Sequence, residues 1–175
     1  MKTIIEKYNV TLMRLTEDKI EMVRKWRNDP KIVQYMNYKE YITPEMQQKW
    51  FQRINNNNNY FFIIIYDKKE IGLINIRDID YEKKEGEGGI FIYDDEYLDS
   101  DVPFRAALCL TDFCFEELCL KKIKAHILNN NKRAIEFNTF LGFKIAENQE
   151  NVKNQLYTLI PDDYYIIRDK IIKLF

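Results

Sequence analysis

The sequence predicts one α/β domain built around a mixed β-sheet, and three observations support this prediction. The chain has 175 residues, the length of one ordinary domain. Two helical patterns come first, apolar strand-like runs follow, and helix and strand then alternate. No repeat and no linker-like segment divides the chain, so we expect a single domain over residues 1–175.

The composition excludes several classes of protein. The net charge is −1 and no basic segment stands out, so we expect neither nucleic acid nor a membrane surface as a partner. No apolar run approaches the ~20 residues of a transmembrane helix, and the first ten residues are too polar for a secretory signal. The three cysteines, Cys109, Cys114 and Cys119, are odd in number, which indicates reduced thiols in the cytoplasm. A single His and a cysteine spacing of five and five predict no metal site.

The segment "LTEDKIEMVRKWRNDPKI" predicts a first helix. Thr16 is the expected N-cap, and the helix should end near Asn28, because Pro30 disfavours helical geometry at the residue before it. One face carries Ile20, Val23 and Trp26.

The segment "ITPEMQQKWFQRI" predicts a second helix. Thr43 is the expected cap, and Pro44 occupies the first helical position, where its missing N–H is tolerated. Met46, Trp50 and Ile54 recur at helical spacing, and we expect them to form the buried face.

Three runs, "YFFIIIY", "IGLINIRDI" and "GIFIYD", predict a strand meander. A glycine-free loop, "YLDSD", then leads into a long helix expected from Val102 to Leu120. "KKIKAHIL" predicts a strand, and "NNKRAIEFNTFLGF" predicts a helix ended by Gly142. "FKIAE", "NQLYTLI" and "YYIIRDKII" are three further predicted strands.

Residues 114–145, "CFEELCLKKIKAHILNNNKRAIEFNTFLGFKI", carry a family resemblance. The "FEEL-L" helix end, a strand, Asn131, then "AI" and "LGF" resemble the second half of the core of the GNAT superfamily of N-acetyltransferases. The resemblance implies a GNAT acyl-CoA N-acyltransferase fold with helices on both faces of its sheet. It also implies transfer of an acetyl group from acetyl-CoA to a primary amine.

Residues 23–51 carry a second resemblance, in "WRN", a later Met and "WF". They resemble the amino-terminal arm of enzymes that acetylate nucleotide-linked amino sugars and, less closely, acetyltransferases of ribosomal-protein amino termini and of polyamines. This implies that Trp26, Arg27, Asn28 and Met36 face the acceptor, with Arg27 pairing with a nucleotide diphosphate. Core packing of Trp26, and a helix-dipole role for Arg27, are equally open.

The resemblance also assigns the centre of the site. The backbone of a splayed strand, at Phe91, Ile92 and Tyr93, would hold the thioester and pantetheine. Glu87 stands where some members place the general base, although a solvated surface charge is the alternative. His126 has a ring suited to proton transfer, with a purely structural role as the alternative.

Two asparagines fall at family positions near the cofactor. Asn131 would cap a helix and also touch the cofactor. Asn138 stands where many members carry a Tyr that protonates the leaving thiolate. An amide cannot supply that proton, so the acid is missing or comes from elsewhere, with Tyr93 and Tyr97 as candidates.

The pyrophosphate loop departs from the family pattern. The signature Gln or Arg and the two small residues fall on Leu98, Asp101 and Pro103. Asp99 and Asp101 would repel a pyrophosphate, which Arg105 would partly offset. Either the Asp101 carboxylate caps the helix in place of phosphate, or it swings aside. The residues expected at the pyrophosphate are Leu98, Asp99, Ser100, Asp101, Val102 and Arg105.

These inferences together favour an N-acetyltransferase that acts on a small-molecule amine, with acetyl-CoA as cosubstrate. The favoured acceptor is the amine of a nucleotide-linked amino sugar. The alternatives are acetylation of a protein amino terminus or a polyamine, and a non-catalytic GNAT-fold binding protein. We expect a cytoplasmic monomer or homodimer.

Overall fold

The computed structural model describes residues 3–175 and shows the predicted mixed sheet. Its eight strands lie in the order β1-β2-β3-β4-β5-β6-β8-β7, and the pairing is antiparallel except between β5 and β6. The strands are β1 Ile4–Lys7, β2 Val10–Arg14, β3 Tyr60–Tyr66, β4 Lys69–Asp80, β5 Glu85–Ile92, β6 Lys122–Leu128, β7 Lys144–Ile145 and β8 Asn154–Leu159. The sequence patterns missed β1 and β2, because both are short and β1 is largely exposed.

Helices cover both faces of the sheet, as the family resemblance implied. They are α1 Ile20–Asn28, α2 Pro30–Val33, α3 Pro44–Ile54, α4 Val102–Asp112, α5 Lys132–Phe140 and α6 Pro161–Ile171. The larger core lies on the face covered by α4, and includes residues of α5 and α6. A smaller core lies on the opposite face, between the sheet and the pair α1 and α3. Alternation along each strand therefore decides which of these two faces a side chain joins.

The ends of α1 and α3 follow the sequence signals with one exception. α1 ends at Asn28, and α3 begins at Pro44 with the Thr43 hydroxyl accepting a hydrogen bond from the Met46 N–H at 3.2 Å. Thr16 was predicted to cap the first helix. It instead precedes a 3₁₀ turn over Glu17–Lys19 and makes no side-chain capping bond.

The buried face of α3 is shifted from the predicted one. Gln47, Phe51 and Ile54 are buried, whereas Met46 is 39% exposed. Gln47 can be buried because its amide donates to the Ile20 carbonyl at 2.9 Å, which removes the cost of an unpaired polar group. The prediction that Met46 belongs to the buried face, made from periodicity alone, was therefore wrong.

The long helix after the loop is shorter than predicted. Regular α-helix stops at Asp112, and a π turn over Phe113–Glu117 follows, with the Leu118 N–H donating to the Phe113 carbonyl. Cys109 and Cys114 are buried. Cys119 lies beyond the turn, exposed and with φ of 54°, so it does not pack the helix.

The segment "YYIIRDKII" was predicted to be a strand and is helix α6. Pro161 occupies its first turn, with acidic residues beside it and basic residues in its last turn, which is favourable for the helix dipole. These end signals outweigh the β-branched residues in its middle, because tertiary packing overrides strand propensity.

Helix α6 is anchored on α4 by the buried carboxylate of Asp112. The Tyr164 hydroxyl donates to Asp112 at 2.7 Å and the Tyr8 hydroxyl at 2.5 Å, and Lys7 and Arg168 form ion pairs with it. Burial of Asp112 opposes its ionisation, but the hydrogen bonds from Lys7, Tyr8 and Tyr164 hold the pKa of Asp112 below its usual value.

Two general features complete the fold. Gly142 follows α5 with φ of 98°, a conformation that suits glycine, so the predicted helix end is confirmed. Within residues 3–175, no helix has the length and apolar character needed to span a membrane.

Candidate active site

The centre of the site is a gap between β5 and β6. The two strands pair in parallel only from Glu85 with Lys122 to Glu87 with Lys124. Beyond that point β5 stays with β4, while β6 continues alongside β8. The strand "GIFIYD" is therefore open along one edge, as the resemblance predicted.

Alternation along β5 decides which backbone groups face the gap. The Tyr93 N–H donates to the Ile71 carbonyl of β4 at 2.8 Å, so Tyr93 and Phe91 direct their backbone toward β4. Ile92 and Ile90 direct theirs toward the gap. The Tyr93 carbonyl accepts from Lys31 at 2.7 Å, so both of its backbone groups are occupied.

The three backbone positions predicted for the thioester and pantetheine are therefore not equivalent. The backbone of Ile92 faces the gap, and so does that of Ile90, which the sequence did not single out. Phe91 and Tyr93 instead contribute their side chains to the core on the α1 and α3 face.

The loop before α4 resolves the alternatives left open for Asp101. Its carboxylate makes no capping bond and pairs with Arg105 at 2.7 Å. The Val102 N–H donates to the Ser100 hydroxyl at 3.2 Å, and Pro103 has no N–H. Of the four N–H groups that a helix start leaves unpaired, those of Asp101 and Phe104 remain for an anion.

The acidic residues of the loop are both paired with arginine. Asp99 forms an ion pair with Arg133 of α5, and Asp101 forms one with Arg105. The Arg105 guanidinium also lies 4.2 Å from the ring centre of Phe175. The loop is thus less repulsive to an anion than its sequence indicates, but Arg105 is not free. Leu98 packs against the larger core, and Val102 is buried in it.

On the opposite face, aromatic side chains cover β5. The Trp26 ring stacks on Tyr93 at 5.2 Å between ring centres and meets the edge of Phe91 at 6.4 Å. Trp26 is buried, which supports the interpretation of it as a core residue. The Tyr93 hydroxyl makes no hydrogen bond within residues 3–175, and Lys31 lies over its ring at 4.3 Å.

Glu87 lies on this same face, at the last β5–β6 pair. Its Oε1 atom contacts Arg77 of β4 at 2.5 Å and lies 3.2 Å from Nδ1 of His126 on β6. The Glu87 side chain is only 18% exposed, so the prediction of a solvated surface charge is wrong. The ring of His126, 36% exposed, lies beside Glu87 at the gap.

Gly89 and Asn75 form the strand pair two positions along from that of Glu87 and Arg77. They are opposite one another on β5 and β4, and a Cβ atom at Gly89 would lie 3.1 Å from Oδ1 of Asn75. The buried Asn75 Nδ2 atom has no hydrogen-bond partner within residues 3–175. Sequence patterns gave no signal for Asn75, because an Asn within a strand has no motif of its own.

Arg27 carries a half-buried charge without a carboxylate partner. Its guanidinium lies 4.7 Å from the centre of the Trp50 ring and donates to the Gln47 side-chain oxygen at 3.2 Å. No acidic side chain within residues 3–175 forms an ion pair with it. Burial lowers the pKa of Arg27, as expected for a cation with little compensation.

Asn28 does not project freely toward an acceptor. Its side chain accepts from the Ile42 N–H at 2.8 Å and donates to the Ile42 carbonyl at 2.9 Å. Asn28 therefore fixes the start of α3 against the end of α1. Met36 lies half-buried in the loop between α2 and α3.

The two asparagines of α5 have clear local roles. Asn131 caps the helix by accepting from the Ala134 N–H at 3.1 Å. Asn138 donates one side-chain N–H to the Ala134 carbonyl at 2.8 Å, which leaves its second N–H for a ligand. Among residues 3–175, no group of three or more His, Cys, Asp or Glu side chains is arranged to hold a metal ion.

Comparison with known proteins agrees with this geometry. The family model described as "Acetyltransferase (GNAT) domain" matches residues 9–144. No curated protein matches the sequence significantly. The fold is similar to that of FdhC, described as a nucleotide-linked sugar GNAT, with 19% identity over 97% of both chains and a TM-score of 0.80.

Two other solved structures show the same fold. An uncharacterized protein from Bacillus halodurans has a TM-score of 0.83 and 14% identity, and the match covers 98% of this chain and 97% of that one. Spermidine N-acetyltransferase from Vibrio cholerae, in complex with CoA and spermine, has a TM-score of 0.75 and 20% identity, over 91% of this chain and 99% of that one.

Proposed function

Because the chain belongs to the GNAT family of acetyltransferases, we propose that it transfers the acetyl group of acetyl-CoA to the amine of a nucleotide-linked amino sugar. The observation that carries the choice of acceptor is the half-buried, uncompensated charge of Arg27. The fold similarity to FdhC supports the same choice.

The open edge of β5 suits the pantetheine arm of acetyl-CoA. That arm carries amide groups, which can pair with the backbone of Ile90 and Ile92 as an added strand would. Its pyrophosphate would meet the N–H groups of Asp101 and Phe104 at the start of α4. Arg105 and Arg133 can contribute once they leave their carboxylate partners.

Arg27 distinguishes an anionic acceptor from a cationic one. A guanidinium removed from water without a counterion is costly, and a diphosphate would supply two oxygens in the fork geometry that arginine prefers. A polyamine would instead bring positive charge toward an already unpaired cation. A nucleotide diphosphate therefore fits this face better than spermidine does.

The chemistry requires an unprotonated amine. Its nitrogen forms a bond to the thioester carbon, the carbon–sulfur bond breaks, and the sulfur leaves with the bonding electrons. Glu87 and His126 lie together at the gap, and one of these two groups would take the proton of the amine. The free N–H of Asn138 can hydrogen-bond the sulfur, and the unpaired Tyr93 hydroxyl is the candidate proton donor to it.

Acetyl-CoA binding is the first test of this proposal. A ligand at about 100 times its Kd adds about 2.7 kcal/mol of stability, which a thermal shift and calorimetry both detect. Absence of binding at millimolar acetyl-CoA would contradict the proposal. If acetyl-CoA binds, nucleotide-linked amino sugars, polyamines and amino-terminal peptides should be compared as acceptors by the rate of CoA release.

The Arg27→Met variant tests the acceptor assignment. Losing a charged hydrogen bond of about 1.5–3 kcal/mol should raise the KM for the nucleotide-linked sugar roughly 10- to 150-fold. The KM for acetyl-CoA should not change. Arg53→Met, on an exposed arginine of α3, is the matched control. An unchanged acceptor KM in Arg27→Met, or a wild-type preference for spermidine, would refute the assignment.

A further inference from the structure

The single histidine of the chain is placed at the mouth of the gap. His126 lies on β6, two residues beyond Lys124, the last β6 residue that pairs with β5. Ile123, Ala125 and Ile127 point into the core under α4. By alternation, His126 therefore lies on the opposite face, with Glu87 and the aromatic residues Phe91 and Tyr93.

The carboxylate of Glu87 lies beside the imidazole ring of His126. Nδ1 lies 3.2 Å from Glu87 Oε1, and the His126 side chain is 36% exposed. A hydrogen bond from Nδ1 to this carboxylate would fix the tautomer in which Nδ1 carries the proton, with the lone pair on Nε2. In many enzymes, an imidazole base that is held by a carboxylate activates the nucleophile.

Glu87 itself is less suited to receive the proton of an amine. Its Oε1 atom already contacts Arg77 on one side and His126 on the other. Arg77 balances the charge of Glu87, so the three groups carry no net charge while the imidazole is neutral.

We infer that Nε2 of His126 is the general base of this enzyme, and that Glu87 is a positioning residue that holds the ring. This inference rests on the proposed function. As the amine nitrogen bonds to the acetyl carbon, its N–H proton passes to Nε2. The sulfur leaves with the electron pair of the broken carbon–sulfur bond and takes up a proton from a donor or from water. His126 then releases its proton to solvent.

Other charged side chains, including those of Lys122 and Lys124, lie on the same face of the sheet as the ring. Glu87 of β5 contacts both the ring and Arg77 of β4, while Lys124 on β6 is paired with Glu85 at 2.8 Å. From β8, the residue opposite His126 is Leu156. Glu87 is thus the acidic group in ion-pair contact with the ring, and one substitution can remove it.

Nitrogen-15 NMR tests the orienting contact without any substrate. Because the chain has one His, its spectrum contains one imidazole to assign. We expect the Nδ1-protonated tautomer in the wild type and in the control Glu85→Ala. Glu87→Ala should lose that preference. A wild-type ring protonated on Nε2, or the same tautomer with and without Glu87, would overturn the inference.

Kinetics test the role in catalysis. His126→Asn keeps a donor near Glu87 but removes Nε2, and should lower kcat roughly 100-fold or more with no change in the KM for acetyl-CoA. The control Glu85→Gln should have the wild-type kcat. A His126→Asn variant within about threefold of the wild-type kcat would overturn the inference. Failure of the proposed function would look different, because the wild type itself would then acetylate no acceptor.

Discussion

The glycine-free loop makes a direct prediction about acetyl-CoA affinity. Asp101 is 48% exposed and pairs with Arg105 instead of capping α4. Substituting Asp101 by Asn removes one negative charge beside the N–H groups expected to receive pyrophosphate. It also frees the Arg105 guanidinium, while the shape of the side chain hardly changes. We therefore expect acetyl-CoA to bind more tightly to Asp101→Asn.

The size of this effect follows from Coulomb's law. A carboxylate about 5 Å from one phosphate charge costs about 0.8 kcal/mol at a dielectric of ~80 and about 3.3 kcal/mol at ~20. Because Asp101 is half-exposed, the lower part of that range applies, which corresponds to roughly four- to tenfold in Kd. Loss of an exposed i,i+4 ion pair should cost at most about 0.5 kcal/mol of folding stability.

Isothermal titration calorimetry with acetyl-CoA measures the change directly. Glu82→Gln is the matched control, because Glu82 is exposed in the turn before β5, at the end of that strand opposite the loop. It alters the net charge equally, so its Kd should stay at the wild-type value. An Asp101→Asn Kd equal to or weaker than wild type would refute the view that this carboxylate opposes the cofactor.

Three further predictions concern stability and access. Asp112→Asn should destabilise the fold by about 3 kcal/mol near neutral pH, since it breaks a buried ion pair. The pKa of Asp112 is lowered in the native state, so this stabilisation is present above its unfolded value. The difference in urea unfolding should therefore shrink as pH falls through the lowered pKa. Burial raises the pKa of Cys109 to about 12 and also raises that of Cys114, so a thiol reagent should label Cys119 quickly and the other two only on unfolding. Gly89→Ala places a methyl group against Asn75, and should raise the KM for the acceptor several-fold while calorimetry finds acetyl-CoA binding unchanged.

Much of the fold was predictable, because the patterns of the central strands are strong. "YFFIIIY" became β3 over the same seven residues, and α1 ended at Asn28 as predicted. The predicted strand at "YYIIRDKII" failed because its residues favour strands locally, whereas α6 gains its stability from Tyr164 and Arg168 meeting Asp112 on a distant helix. A contact between residues more than fifty positions apart in the sequence produces no periodic pattern of residues from which it could be predicted.

The features of the candidate site that depend on backbone topology were predictable from the sequence. The family resemblance predicted the gap beside β5, whereas the side-chain contacts around the gap could be seen only in the three-dimensional structure. Whether Asp101 caps α4 depends on a competition between the helix N–H groups and Arg105, which sequence spacing alone does not decide. The meeting of Glu87 with His126 depends on the parallel register of two strands whose paired residues, such as Glu85 and Lys122, are 37 positions apart in the chain.

The paired arginines of the cofactor loop have a consequence for the influence of ionic strength. At an ordinary phosphate site, free cations gain a partner, and added salt weakens binding by screening that gain. Here Arg105 and Arg133 already hold Asp101 and Asp99. A pyrophosphate would exchange one set of ion pairs for another, and salt would screen both sets. We therefore expect pyrophosphate to bind this loop less tightly in dilute buffer than it binds a site with free arginines. The affinity should also change little when salt is added.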